Sequence, residues 1–100
     1  MRFLADCRSR LAFDLLANTW NPVVLWALKD GPLRHGELSR TIGGIRQKVL
    51  TETLRRLTGF GLVERTDAHY RLTALGESLI GPIAALGAWA FEHGDEVLLD

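Results

Sequence analysis

A chain of 100 residues, 47% of them apolar, suits one ordinary globular domain, which excludes a second domain and a disordered composition. Twelve basic residues balance twelve acidic ones for a formal net charge of zero, and the single cysteine, Cys7, excludes an internal disulfide; with no clustered histidines there is no metal-finger spacing and no cofactor is implied. No apolar run approaches the ~20 residues of a membrane span, and MRFLADCRSR carries acid and base too early for a secretory signal, so a cytoplasmic protein away from membranes is expected.

Leu11, Leu15 and Leu16, with Phe13 nearby, predict a short helix over about 9–17, with Ser9 as its N-cap and a break at Asn18-Thr19. A second helix, over about 20–29, carries Val24, Leu25 and Leu28 with Trp20 one turn earlier. Pro22 is tolerable there because first-turn amides have no intrahelical acceptor, and Asp30-Gly31-Pro32 ends the helix. Leu38 and Ile42, at i and i+4, predict a helix around 35–41, followed by Gly43-Gly44, a pair that permits positive φ in a tight corner.

From Arg46 to Thr58 the chain reads RQKVLTETLRRLT. Leu50, Leu54 and Leu57 fall on a buried stripe, and Gln47, Lys48, Thr51, Glu52 and Arg55 on the opposite, polar face. Gly59 to Gly61 ends this helix; LVERT and HYRLT then alternate around Asp67-Ala68 as two strands of a tight hairpin, with Tyr70 and Leu72 inward. Thr73 can cap a last helix that runs to about His93 and that Pro82 should bend. This helix is apolar on two sides: Leu75, Leu79, Ile83, Leu86 and Ala90 form one stripe, and Ile80, Ala84, Gly87 and Phe91 another. A helix wetted on one side needs only one such stripe. A domain of this size buries roughly two-thirds of its unfolded surface, so a dimer hiding Ile80, Trp89 and Phe91 is expected, with 1–17 and 74–100 as dimerisation segments.

Neutral net charge conceals a split. The stretch from Arg34 to Arg71 holds eight basic residues against four acidic, a net +4 that leaves −4 for the remainder. A basic middle between acidic ends fits a phosphate-binding face, although solvated surfaces reach the same asymmetry.

The order helix, helix, helix, glycine turn, helix, hairpin, helix is that of a winged helix-turn-helix domain: mainly α with a small β-hairpin and terminal dimerisation helices. The residues WNPVVLWAL from Trp20, DGPLRHGEL, GGIRQKVLTETLRRL, GLVERT and YRLTALG also resemble the HxlR branch of winged-helix transcriptional regulators, a relative of the MarR type, over about Cys7 to Trp89. The resemblance implies a homodimer that binds double-stranded DNA at an inverted-repeat operator, with no enzymatic activity. The chain departs from the family in four places. Arg46-Gln47 stand where a Ser-Pro pair usually caps the recognition helix; Arg34-His35-Gly36-Glu37-Leu38 replaces Arg-Phe-Ser-Glu-Leu; Thr19 replaces a lysine; and only Thr66 to His69 remain of a longer wing.

Within that frame Gln47, Lys48, Thr51 and Arg55 are expected to meet the major groove, and Arg46 and Arg56 to touch phosphate, although Arg56 can equally snorkel over the hairpin. Glu52 accepts from cytosine or pairs with Lys48 or Arg55. Arg65, His69 and Arg71 are the candidate wing contacts, and His69 reads equally as an exposed turn residue. Trp20, Trp26 and Trp89 read first as core, with an aromatic effector pocket between subunits as the other reading. His35 and His93 stand apart and suggest no metal. No Ser/His/Asp set, paired carboxylates or phosphate-cradling loop points to catalysis. Cys7, 13 residues before Trp20, falls where the family commonly has a cysteine and where some members sense oxidants or electrophiles. Arg8, Arg10 and a helix start at Ser9 favour its thiolate and Asp6 opposes it, while a lone cysteine is more often a small buried hydrophobe. A winged-helix protein-interaction module that has lost DNA binding is the competing reading of the whole chain.

Overall fold

Leu50, Leu54 and Leu57 of the central stripe are at most 2% exposed, and around them pack Val24, Leu25 and Leu28, Leu38, Ile45, and Leu62 with Val63. The computed structural model in which they do so describes residues 8–97. Helices α1 (Ser9–Ala17) and α2 (Trp20–Ala27) lead into a two-residue strand, β1 (Leu33–Arg34), and then α3 (His35–Ile42) and α4 (Gln47–Gly59). Strands β2 (Val63–Thr66) and β3 (His69–Leu72) follow, then α5 (Ala74–Glu77), α6 (Ile80–His93) and a 3-10 turn at Gly94–Glu96.

Ser9 is the first residue of α1 rather than its cap; Arg8, in helical conformation, precedes it without a side-chain cap. The break before α2 is stabilised by Asn18, whose Oδ1 accepts from the Trp20 amide at 3.0 Å. Glycine is needed in the corner between α3 and α4, where Gly43 and Gly44 adopt φ of +69° and +68°. Arg46 precedes α4 in extended conformation without a side-chain cap, as the missing Ser-Pro pair leads one to expect.

The hairpin has the predicted two-residue turn, with Asp67 at φ +57°, and pairs Val63 with Leu72 through Thr66 with His69. Tyr70 and Leu72 pack half-buried against the core. The predicted hairpin is part of a three-stranded antiparallel sheet in the order β1-β3-β2, with Leu33 opposite Tyr70 and Arg34 opposite His69. Two residues after a proline offer no alternation to read, and only the proximity of β3 makes them a strand.

The last helix is two helices. Thr73 caps the first, its Oγ1 accepting from the Gly76 amide at 3.0 Å, and the helix is interrupted at Ser78-Leu79 before α6 begins. Pro82 is the cause: it has no N–H for the Ser78 carbonyl and its ring crowds that carbonyl, so the helix breaks a turn upstream instead of bending at Pro82. Against the expectation that no run approaches a bilayer span, Ala74–Glu96 is long and apolar enough by length and composition alone, with a mean hydropathy of 1.3. Its apolar character reflects the two-sided pattern of α6, none of whose residues is buried within the chain.

Candidate nucleic-acid interface

α4 rests its leucine stripe on α2 and α3, which turns its polar face outward. Arg46, Gln47, Lys48, Thr51, Glu52 and Arg55 are all exposed. Two of them are held by α3: Gln47 Nε2 donates to Ser39 Oγ at 3.1 Å, and Thr51 Oγ1 lies 3.0 Å from His35 Nε2. Lys48 and Arg55 make no ion pair among the described residues, and Glu52 takes neither of the pairings open to it. The face therefore offers long cationic side chains at its middle and neutral hydrogen-bonding groups steadied at its α3 edge, the combination that groove edges and phosphates accept.

Arg56 is not on this face. Its guanidinium donates from Nε and Nη2 to Asn21 Oδ1, both at 3.1 Å, and from Nη2 to Thr53 Oγ1 at 3.3 Å. Two of its nitrogens are thus engaged by the buried amide of Asn21, a partner that neither the phosphate nor the hairpin reading of this residue anticipated.

The three wing candidates are divided by the pleat. Arg65 shares a face with Tyr70, its guanidinium 5.5 Å from the ring, and its Nε donates to the Asp67 carbonyl at 3.2 Å. His69 and Arg71 lie on the other face with Arg34, Glu64 and Thr66. There Arg71 is paired with the Glu64 carboxylate, which halves the positive charge this face presents. Arg34, His35 and Ser39 were not singled out as site residues from sequence. His35 is 16 positions from Thr51 and Arg34 is opposite His69 only through β1, so neither belongs to any local period that could have marked it.

On α6, Trp89 and Phe91 are 54% and 97% exposed, in keeping with the expected lack of cover. Ile80 is the exception among the predicted dimer residues: it packs half-buried against the core, because the break at Ser78-Leu79 turns the start of α6 inward. Of the tryptophans only Trp20 packs on the core. Trp26 is exposed with Lys29 Nζ 4.7 Å above its ring, and with Pro22, Ile83, Gly87 and Phe91 it lines an apolar groove of about 450 Å³ between α2 and α6. Cys7 lies outside the described residues.

Residues 15–97 match the family described as HxlR-like helix-turn-helix. An uncharacterized HTH-type transcriptional regulator of Methanothermobacter thermautotrophicus is 37% identical over 95 residues, covering 88% of this chain and 72% of that protein. The HTH-type transcriptional regulator YodB of Bacillus subtilis is 38% identical over 96 residues, 86% of each chain. The crystal structure of quinone-bound YodB superposes with a TM-score of 0.79 at 38% identity, over 85% of this chain and 97% of that one.

Proposed function

Because the chain belongs to the HxlR-like helix-turn-helix family of transcriptional regulators, we propose that it acts as a homodimer on an inverted-repeat operator, with α4 in the major groove. One observation carries this reading: α4 turns Lys48 and Arg55 outward, neither of them in an ion pair among the described residues, in the most basic part of a chain that is neutral as a whole. Gln47 and Thr51 are the groups beside them suited to base edges, and Arg46, His69 and Arg71 those suited to phosphate. The uncovered end of α6, Trp89 and Phe91, supports a twofold partner. The relatives are HTH-type transcriptional regulators, which supports a regulatory rather than a catalytic role.

Lys48→Ala and Arg55→Ala are each expected to weaken binding to an operator selected from random duplexes by about 1–3 kcal/mol, with unchanged thermal melts. Wild-type affinity in both variants at fixed low salt would remove α4 from the DNA surface. The two-residue wing and the Arg71–Glu64 pair favour one competitor, a winged-helix module that binds protein. A salt titration separates the two: release of counterions from phosphate makes DNA binding fall steeply with ionic strength, and a protein interface lacks that slope.

The quinone carried by YodB supports a further layer, an oxidant or electrophile input at Cys7. With one cysteine per chain, the signal would be stored as a Cys7 to Cys7 disulfide between subunits or a mixed disulfide with a small thiol. Diamide is expected to change operator binding of the wild type and to leave Cys7→Ser unmoved. Identical binding curves for both proteins, with and without diamide, would return Cys7 to a packing role.

A further inference from the structure

We infer that Arg56 and Asn21 form a positioning pair that sets the attitude of α4 against α1, so that Arg56 governs DNA recognition without touching DNA. The inference rests on the reading of α4 as the recognition helix. Arg56 lies on the flank of α4 beside Val49, in the last turn, about 14 Å along the axis from Gln47 at 1.5 Å per residue. Both donors of its fork converge on Asn21 Oδ1 at 3.1 Å. Asn21, on α2 and 3% exposed, donates in turn through Nδ2 to the Leu15 carbonyl at 2.7 Å. That carbonyl is among the last four of α1, which have no intrahelical donor, so the amide completes the end of one helix while holding another.

The link is anchored at its far end too. Arg56 Nη2 reaches Thr53 Oγ1 at 3.3 Å, and the Thr53 hydroxyl, fully buried, donates to the Val49 carbonyl at 2.8 Å. A continuous chain of hydrogen bonds thus runs from the backbone of α1 through α2 to the backbone of α4. Apolar residues of the same volume would serve stability at least as well, since desolvating a guanidinium is costly; what the fork adds is direction. α2, which carries Asn21, also packs against α6. In a twofold reader the separation and tilt of the two recognition helices follow from how each is held against the helices that join the subunits. A group that fixes α4 to α1 and α2 therefore acts on fit to two half-sites.

The test uses the full-length protein, the duplex enriched by wild type from a random pool, and a shuffled duplex of equal length. Arg56→Met and Asn21→Ala should each lower affinity for the enriched duplex about three- to thirtyfold, and the double variant should lose no more than either single change because both break one link. Affinity for the shuffled duplex and the slope of log K against log salt should stay at wild-type values, whereas a lost phosphate contact lowers that slope by about one. Wild-type affinity in both folded variants overturns the inference. So does a reduced slope in Arg56→Met alone with Asn21→Ala unaffected, which would return Arg56 to the DNA. Arg56→Lys, which keeps the charge and a donor but not the fork, replaces Arg56→Met if that variant does not fold, with the same expected direction. If wild type enriches no duplex, the proposed function fails first, and amide exchange decides the link by itself. Faster exchange in the last turn of α1 on Arg56→Met supports it, and unchanged exchange there overturns it.

Discussion

Phe91→Glu is expected to leave a monomer at micromolar concentration and to weaken operator binding about 10²- to 10⁴-fold, the loss that accompanies a change from two linked half-site contacts to one. Phe91 is 97% exposed on a helix without a buried residue, in the lining of the groove between α2 and α6. Full burial of such a side chain contributes roughly 1.5–3 kcal/mol, and twofold symmetry counts it twice. Glutamate removes that contribution and places an unpaired carboxylate in a desolvated interface. Phe91 supports nothing in the core, so far-UV circular dichroism should be unaltered. Sedimentation velocity reads the oligomer and a duplex titration reads the affinity. A dimer that survives in Phe91→Glu would move the interface elsewhere, and a wild-type monomer at the same concentration would sink the dimer itself.

Gly76→Ala is expected to cost about 2–4 kcal/mol, above the usual range for overpacking because backbone rather than a side chain is in the way. A Cβ at residue 76 would sit 2.1 Å from the Leu62 carbonyl oxygen and 3.3 Å from Leu72 Cδ2. That carbonyl already accepts from the Thr73 amide at 3.1 Å. Thr73 Oγ1 donates to the Gly61 carbonyl at 2.6 Å while accepting from the Gly76 amide at 3.0 Å. Relief of the clash must therefore lift α5 from the strand entry and break one or more of these bonds. For a domain of this length the midpoint of a thermal melt should fall by at least about 10 °C. Gly81→Ala is the control: its Cβ meets nothing within 4 Å, and alanine is the better helix former by up to about 1 kcal/mol. A Gly76→Ala melt within a degree or two of wild type would show that the contact between α5 and Leu62 yields freely.

The parts of the candidate site legible in the sequence are those governed by one helix. The spacing of Leu50, Leu54 and Leu57 places them inward, and the same arithmetic turns Gln47, Lys48, Thr51 and Arg55 outward. Helical period failed for Arg56, which falls on the flank where inward and outward are decided by the neighbouring helix. It failed also for the tryptophans: residue type suggests core, yet Trp26 and Trp89 are 39% and 54% exposed among the described residues.

What the sequence by itself determined are features whose causes act over a few residues. The glycine pair at 43 and 44 takes positive φ, Asp67-Ala68 closes the hairpin, Thr73 caps a helix and Pro82 denies Ser78 its donor. Each follows from sterics or hydrogen bonding inside one turn of chain. Only the tertiary structure decided that Leu33-Arg34 is a strand, that Ile80 is covered while Phe91 is not, that His35 steadies Thr51 from 16 residues away, and that Arg56 is claimed by Asn21 across 35. Those outcomes depend on which surfaces the core brings within about 3 Å of one another, a consequence of packing that no local period or cap encodes.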